Sequence, residues 1–84
     1  MDKRESVLLD FTNHLRKDFN VTAEIKLDSN IKDDIGLDSL ATVEVIFYLE
    51  NAIGRVITEE EAEVIETIGD AVDFILKNSE VLNA

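Results

Sequence analysis

Four α-helices, with a long loop after the first and a short third helix, are what the sequence predicts. Three observations carry this expectation. Proline is absent and glycine occurs only three times in 84 residues, at Gly36, Gly54 and Gly69, so little in the chain breaks helix. Apolar residues recur at spacings of three and four instead of alternating. Three acid- or hydroxyl-led patterns of the capping-box kind stand in front of apolar runs, as helix N-termini do.

The first of these patterns is Asp2-Lys-Arg-Glu5, followed by an apolar stripe of Val7, Leu8, Phe11, Leu15 and Phe19. It predicts a first helix to about Phe19. Residues 20–38 show no sustained period but set Ile25, Leu27, Ile31 and Ile35 at intervals, as a loop does when isolated side chains pin it to a core; loops this long are often functional. Leu40 to Ile53 is rich in β-branched residues, yet it is too long for a strand and does not alternate. It predicts a second helix, apolar around most of its circumference through Val45-Ile46-Phe47-Tyr48-Leu49 and therefore central. Thr58-Glu-Glu-Glu61 opens a short acidic helix with Ala62 and Ile65 inward. Thr67-Ile-Gly-Asp70 opens the last, whose buried face is Ala71, Val72, Ile75 and Leu76, with Lys77 near its end to complement the dipole.

Size and charge narrow the function. Eighty-four residues make one domain, 1–84, whose thin core buries only about three-fifths of the unfolded chain's surface. Carrying or binding fits such a chain better than catalysis in an enclosed site. Nineteen acidic against eight basic residues give −11, which repels phosphate backbones and anionic lipid and favours basic partners. The split is uneven: 6 basic and 9 acidic residues up to residue 42, then 2 and 10. A 45% hydrophobic share exceeds what a solvated acidic tail carries, so the chain folds. With no cysteine, no long apolar run and no early signal-like stretch, a cytoplasmic protein without membrane insertion is expected. Like-charge repulsion predicts a monomer.

Most chemistry-bearing constellations are missing. His14 is the only histidine, and there is no HExxH, CxxC, GxxxxGKS/T or GxGxxG. Asp28–Ser39 starts like a calcium loop, but Lys32, Asp33 and Ser39 stand where a ligand, a glycine and the bidentate glutamate belong. Ser39, in Gly36-Leu37-Asp38-Ser39-Leu40, has three readings. Asp38 or Ser39 is simply an N-cap; Ser39 is a catalytic nucleophile, for which neither a base nor a G-x-S-x-G elbow is present; or Ser39 holds a phosphorylated group, which the amides and partial positive charge of a helix N-terminus suit.

Asp33-Asp34-Ile35-Gly36-Leu37-Asp38-Ser39-Leu40 resembles the acyl carrier proteins, whose signature is an acid, an apolar residue, Gly, any residue, then Asp-Ser-Leu. The resemblance continues through Thr42-Val43-Glu44, Leu49-Glu50, Glu59–Glu63, Ile65 and Ala71–Ile75, so most of residues 31–76 takes part. It implies a four-helix bundle of the acyl-carrier type. It also implies that Ser39 Oγ receives 4′-phosphopantetheine from coenzyme A through a separate phosphopantetheinyl transferase, which Asp38 helps to engage. The protein is then a carrier and not an enzyme; acyl groups ride as thioesters on the arm and are presented to acyl-loading, condensing or acyl-transfer enzymes of fatty-acid or specialised lipid or polyketide biosynthesis. The resemblance further implies an acyl cleft, with Leu40, Val43, Ile46, Phe47, Ile57, Ala62 and Ile65 as candidate lining. Glu44, Glu50, Glu59 and Glu60, with the acidic segment to Glu66, form the face for basic docking patches.

Two departures favour a specialised carrier. Ala41 stands where fatty-acid carriers have another acid after Asp-Ser-Leu, and Asn51–Thr58 lacks their acid-rich stretch and final Ile-Pro, with Arg55 bringing a positive charge. Two rival readings stay open: a carrier of aminoacyl or other acids, whose usual Gly-Gly-His/Asp-Ser-Leu differs from the motif here, and an unmodified acidic adaptor in which Ser39 is only a cap.

Overall fold

The computed structural model describes residues 3–82. It contains α1 (Lys3–Phe19), α2 (Ser39–Ile53), α3 (Glu59–Glu63) and α4 (Ile68–Leu82); among the described residues the only extended pairing is an isolated bridge between Asn30 and Thr67.

On α1 the stripe buries Phe11 and Leu15 completely, with Val7, Leu8 and Phe19 half-buried beside them. Asp2, the proposed start of the first capping pattern, lies outside the described residues. Asn20, at φ 55°, takes the left-handed conformation that ends the helix. Both α1 and α2 pack on α4, which contributes Ile68, Ala71, Val72 and Ile75 to the core. An aromatic stack joins α1 to α2: Tyr48 stacks on both Phe11 and His14, with centroids 5.5 and 4.1 Å away. Burial in that stack, with the Asp10 carboxylate nearby, raises the Tyr48 hydroxyl above its ordinary pKa.

Three sequence expectations need correction. Apolar residues do run around α2, but only Val45, Leu49 and Ile53 are fully buried; Leu40, Val43 and Phe47 are 73%, 49% and 58% exposed. At spacings of three and four they make one stripe on the side away from the core. Leu27 is likewise exposed, because its backbone rather than its side chain holds the loop. The third concerns Lys77, which lies five residues before the end of α4, too far from the terminal carbonyls to complement the dipole.

The long loop is tied down by both kinds of contact. Val21, Ile31, Ile35 and Leu37 are buried. Ile31 N–H donates to Glu66 O and Ile68 N–H to Ser29 O, each at 2.9 Å, and Gly69 N–H donates to Leu27 O at 2.7 Å. These bonds fasten the loop to the α3–α4 connection and place its last residues at the mouth of α2.

Candidate functional site

The approach to Ser39 is built by local hydrogen bonds. Asn30 Oδ1 accepts from the Lys32 and Asp33 amides, and Asp34 Oδ2 accepts from Asn30 N–H, closing a tight turn. Gly36, at φ 85° with open space around it, lets the chain reverse where other residues are strained. Leu37 then buries its side chain, and Asp38 caps α2, its Oδ1 accepting from Ala41 N–H at 2.8 Å. Thr42 donates both N–H and Oγ1–H to Asp38 O. Ser39 is thus the first residue of the helix. It is exposed, and its hydroxyl engages no described residue. The cap is Asp38, which leaves the Ser39 oxygen open. A free hydroxyl beside the unpaired amides and positive end of a fifteen-residue helix fits a phosphoester on that oxygen.

Next to this helix mouth, between the loop, α2 and α3, lies an open cavity of about 470 Å³. Ile31, Val45, Ile46, Ala62 and Ile65 supply its apolar wall, and Thr42 brings it within one helical turn of Ser39. The charged residues at its edge, Lys32, Asp33, Glu63 and Glu66, are exposed. Of the cleft residues expected from sequence, Ile46, Ala62 and Ile65 are on this wall. Leu40, Val43 and Phe47 are not, because they point from the opposite side of α2, and Ile57 is packed into the core instead. Ile31 and Val45 were legible only as loop anchor and core, since periodicity shows that a side chain faces inward but not whether it meets a neighbour or a void.

The acidic residues divide into two groups. Glu44, Glu59 and Glu60 are exposed. Glu50 is half-buried, and its Oε2 accepts from Ile57 N–H at 2.8 Å; it closes the α2–α3 loop rather than standing free on a docking face. Glu61 completes a reciprocal capping box with Thr58 and also accepts from both terminal nitrogens of Arg55, at 3.0 and 2.7 Å. The Arg55 bonds, then the Thr58 amide, hold the Glu61 carboxyl down at about 2. Among the described residues no cluster of histidine, cysteine, aspartate or glutamate could hold a metal ion. No described helix is long and apolar enough to cross a membrane.

Comparison with known proteins agrees with this geometry. The family model described as a phosphopantetheine attachment site matches residues 15–75, which include Ser39. A curated acyl carrier protein from Prochlorococcus marinus is 52% identical over 54 residues, covering 64% of this chain and 68% of its own length. The solved acyl carrier protein from Enterococcus faecalis is 39% identical, with a TM-score of 0.68 over 90% of this chain and 98% of that one. Another, from Thermotoga maritima, shares only 20% identity but has a TM-score of 0.80 over 95% and 94% of the two chains; that likeness concerns the fold. With its sequence, its four helices and its attachment segment all in agreement, the chain belongs to the acyl carrier proteins of the phosphopantetheine-attachment family.

Proposed function

We propose that Ser39 Oγ is the oxygen that takes 4′-phosphopantetheine from coenzyme A, and that the single domain then carries acyl intermediates. The observation that carries this reading is the exposed, unpartnered hydroxyl at the N-terminus of α2. When attached, the arm supplies the thiol on which acyl groups are held as thioesters, a function this cysteine-free chain cannot supply itself. The chain's own residues position and shelter. Asp38 caps α2 and offers a carboxylate beside the serine to the transferase. Ile31, Val45, Ile46, Ala62 and Ile65 receive the cargo, each buried CH₂ contributing about 0.8 kcal/mol.

A carrier works with partner enzymes. On this reading a transferase and acyl-loading, condensing or acyl-transfer enzymes meet exposed Glu44, Glu59 and Glu60 and the exposed apolar stripe Leu40, Val43 and Phe47. Basic patches on the partner pair with the first, and an apolar patch covers the second. Ala41 in place of an acid, and Arg55 engaged on Glu61, lower the negative charge of the docking surface and favour a specialised lipid or polyketide pathway with its own partners over general fatty-acid synthesis. The carrier acts as a monomer in the cytoplasm.

Incubating the unmodified protein with coenzyme A, magnesium and a broad-specificity transferase, then measuring intact mass, tests the attachment. One phosphopantetheine adduct is expected on the wild type and none on Ser39→Ala. An unmodified wild type, or an adduct that survives the substitution, overturns the assignment.

A further inference from the structure

The Arg55 guanidinium makes four hydrogen bonds, two of them to Glu61 on α3 and one to Asn78 on α4. Nη1 and Nη2 grip the two carboxylate oxygens of Glu61 on α3. Nη1 also donates to Val56 O at 2.9 Å, and Nη2 donates to Asn78 Oδ1 on α4 at 2.8 Å. Asn78 is itself fixed by donating to Phe74 O, and the guanidinium carbon lies 5.7 Å from the Phe74 ring centre, within cation–π range. The element so held has little else. α3 is five residues long and none of them is buried, yet Ala62 and Glu63 form part of the cavity wall. An element with so little apolar anchoring opens at low free-energy cost unless polar contacts restrain it.

We propose that Arg55 is a positioning residue, a fork joining α3 to α4 that fixes the movable wall of the cavity and so limits the size of the acyl cargo the cavity accepts. The limit on cargo size rests on the function proposed above; the holding of the wall does not. The planar fork is needed because one guanidinium spans Glu61 and Asn78 at once, which an ammonium at the end of a lysine does not reproduce.

The test compares the unmodified full chain with Arg55→Gln and Arg55→Lys by amide hydrogen exchange. Both substitutions are expected to speed exchange at Ala62 and Ile65, whose amides donate to Thr58 O and Ala62 O, by about tenfold or more relative to Leu49 and Val72 in the core. Unchanged α3 amides, or a rise no larger than that of the core, overturn the proposal, as does full protection restored by lysine. Glu61→Gln keeps the capping pattern but removes the charge, and is the milder variant should Arg55→Gln fail to fold. A second readout follows the acyl-loaded proteins through a series of chain lengths: the length at which added CH₂ groups stop raising Tm is expected to be longer in Arg55→Gln than in wild type. Equal lengths overturn the limit on cargo size. A chain that never takes the arm sinks the limit on cargo together with the attachment assignment, and the exchange comparison then decides separately whether Arg55 holds the wall.

Discussion

The carboxylate of Asp38 has two roles that substitution can separate. Its Oδ1 accepts from Ala41 N–H, and asparagine caps a helix about as well as aspartate, whereas alanine does not. Asp38→Asn is therefore expected to melt in urea like wild type, and Asp38→Ala to lose about 1 kcal/mol. If the charge also serves the transferase, both variants take up phosphopantetheine more slowly; wild-type loading of Asp38→Asn would show that only the cap matters. Gly69 presents a different kind of residue-scale constraint. A Cβ there would stand 2.9 Å from Leu27 O, and that oxygen is backbone already drawn in by Gly69 N–H, so it cannot rotate away. Gly69→Ala is expected to cost about 1–3 kcal/mol in chemical denaturation, despite alanine's better helix propensity. From sequence Gly69 is only a glycine inside a capping pattern, because the oxygen it accommodates comes from a residue 42 positions earlier in the chain.

At the level of the elements, what is legible in the sequence is what local hydrogen bonds decide. Thr58-x-x-Glu61 and Thr67-x-x-Asp70 form as read: Glu61 N–H donates to Thr58 Oγ1, and Asp70 N–H to Thr67 Oγ1, while the acids accept in return from the Thr58 and Thr67 amides. Those bonds carry a pH consequence. Glu61 is held near 2, chiefly by Arg55, and Asp70 below its ordinary value, chiefly by the Thr67 amide and with help from Glu66 N–H. Both folded pKa values lie below the unfolded ones, so the unfolded chain binds these protons first. Their contribution is complete above the ordinary carboxylate range and is lost as pH falls through it toward 2. Thermal melts of Glu61→Gln and Asp70→Asn are accordingly expected to depend less on pH across that window than wild type; an identical acid dependence would remove these two carboxyls as its source. What is not legible is set between elements. The composition of α2 is apolar all round, but only packing decides that Val45, Leu49 and Ile53 are covered and Leu40, Val43 and Phe47 are not. Lys77 misleads because α4 continues to Leu82, with no glycine or proline to announce its end.

Across the whole molecule, the attachment segment is readable because it is contiguous, whereas the cavity joins a loop residue, Ile31, to Val45 on α2 and Ala62 on α3, and no spacing rule connects them. Net charge is the other property of the whole. At −11 the folded chain concentrates like charges that the unfolded chain spreads apart, and compactness suffers for it. The described ion pairs do little to offset this. Arg4–Asp73 and Arg55–Glu61 are close, at 2.7 Å, but Lys26–Glu24 is 3.8 Å and mostly exposed, and exposed pairs contribute little. Salt shortens the screening length to about 8 Å at physiological ionic strength, which weakens the many distant repulsions more than the few near contacts. Raising KCl from about 10 to 300 mM is therefore expected to raise Tm by several degrees, since about 1 kcal/mol moves a domain of this size by about 4–8 °C. The same salt slows association with a basic partner, because that encounter is steered by the charges being screened. The two effects have opposite signs, so melting curves and association rates measured over one salt series separate them; a Tm that falls with salt would show that the ion pairs, and not the repulsion, dominate the electrostatics of the fold.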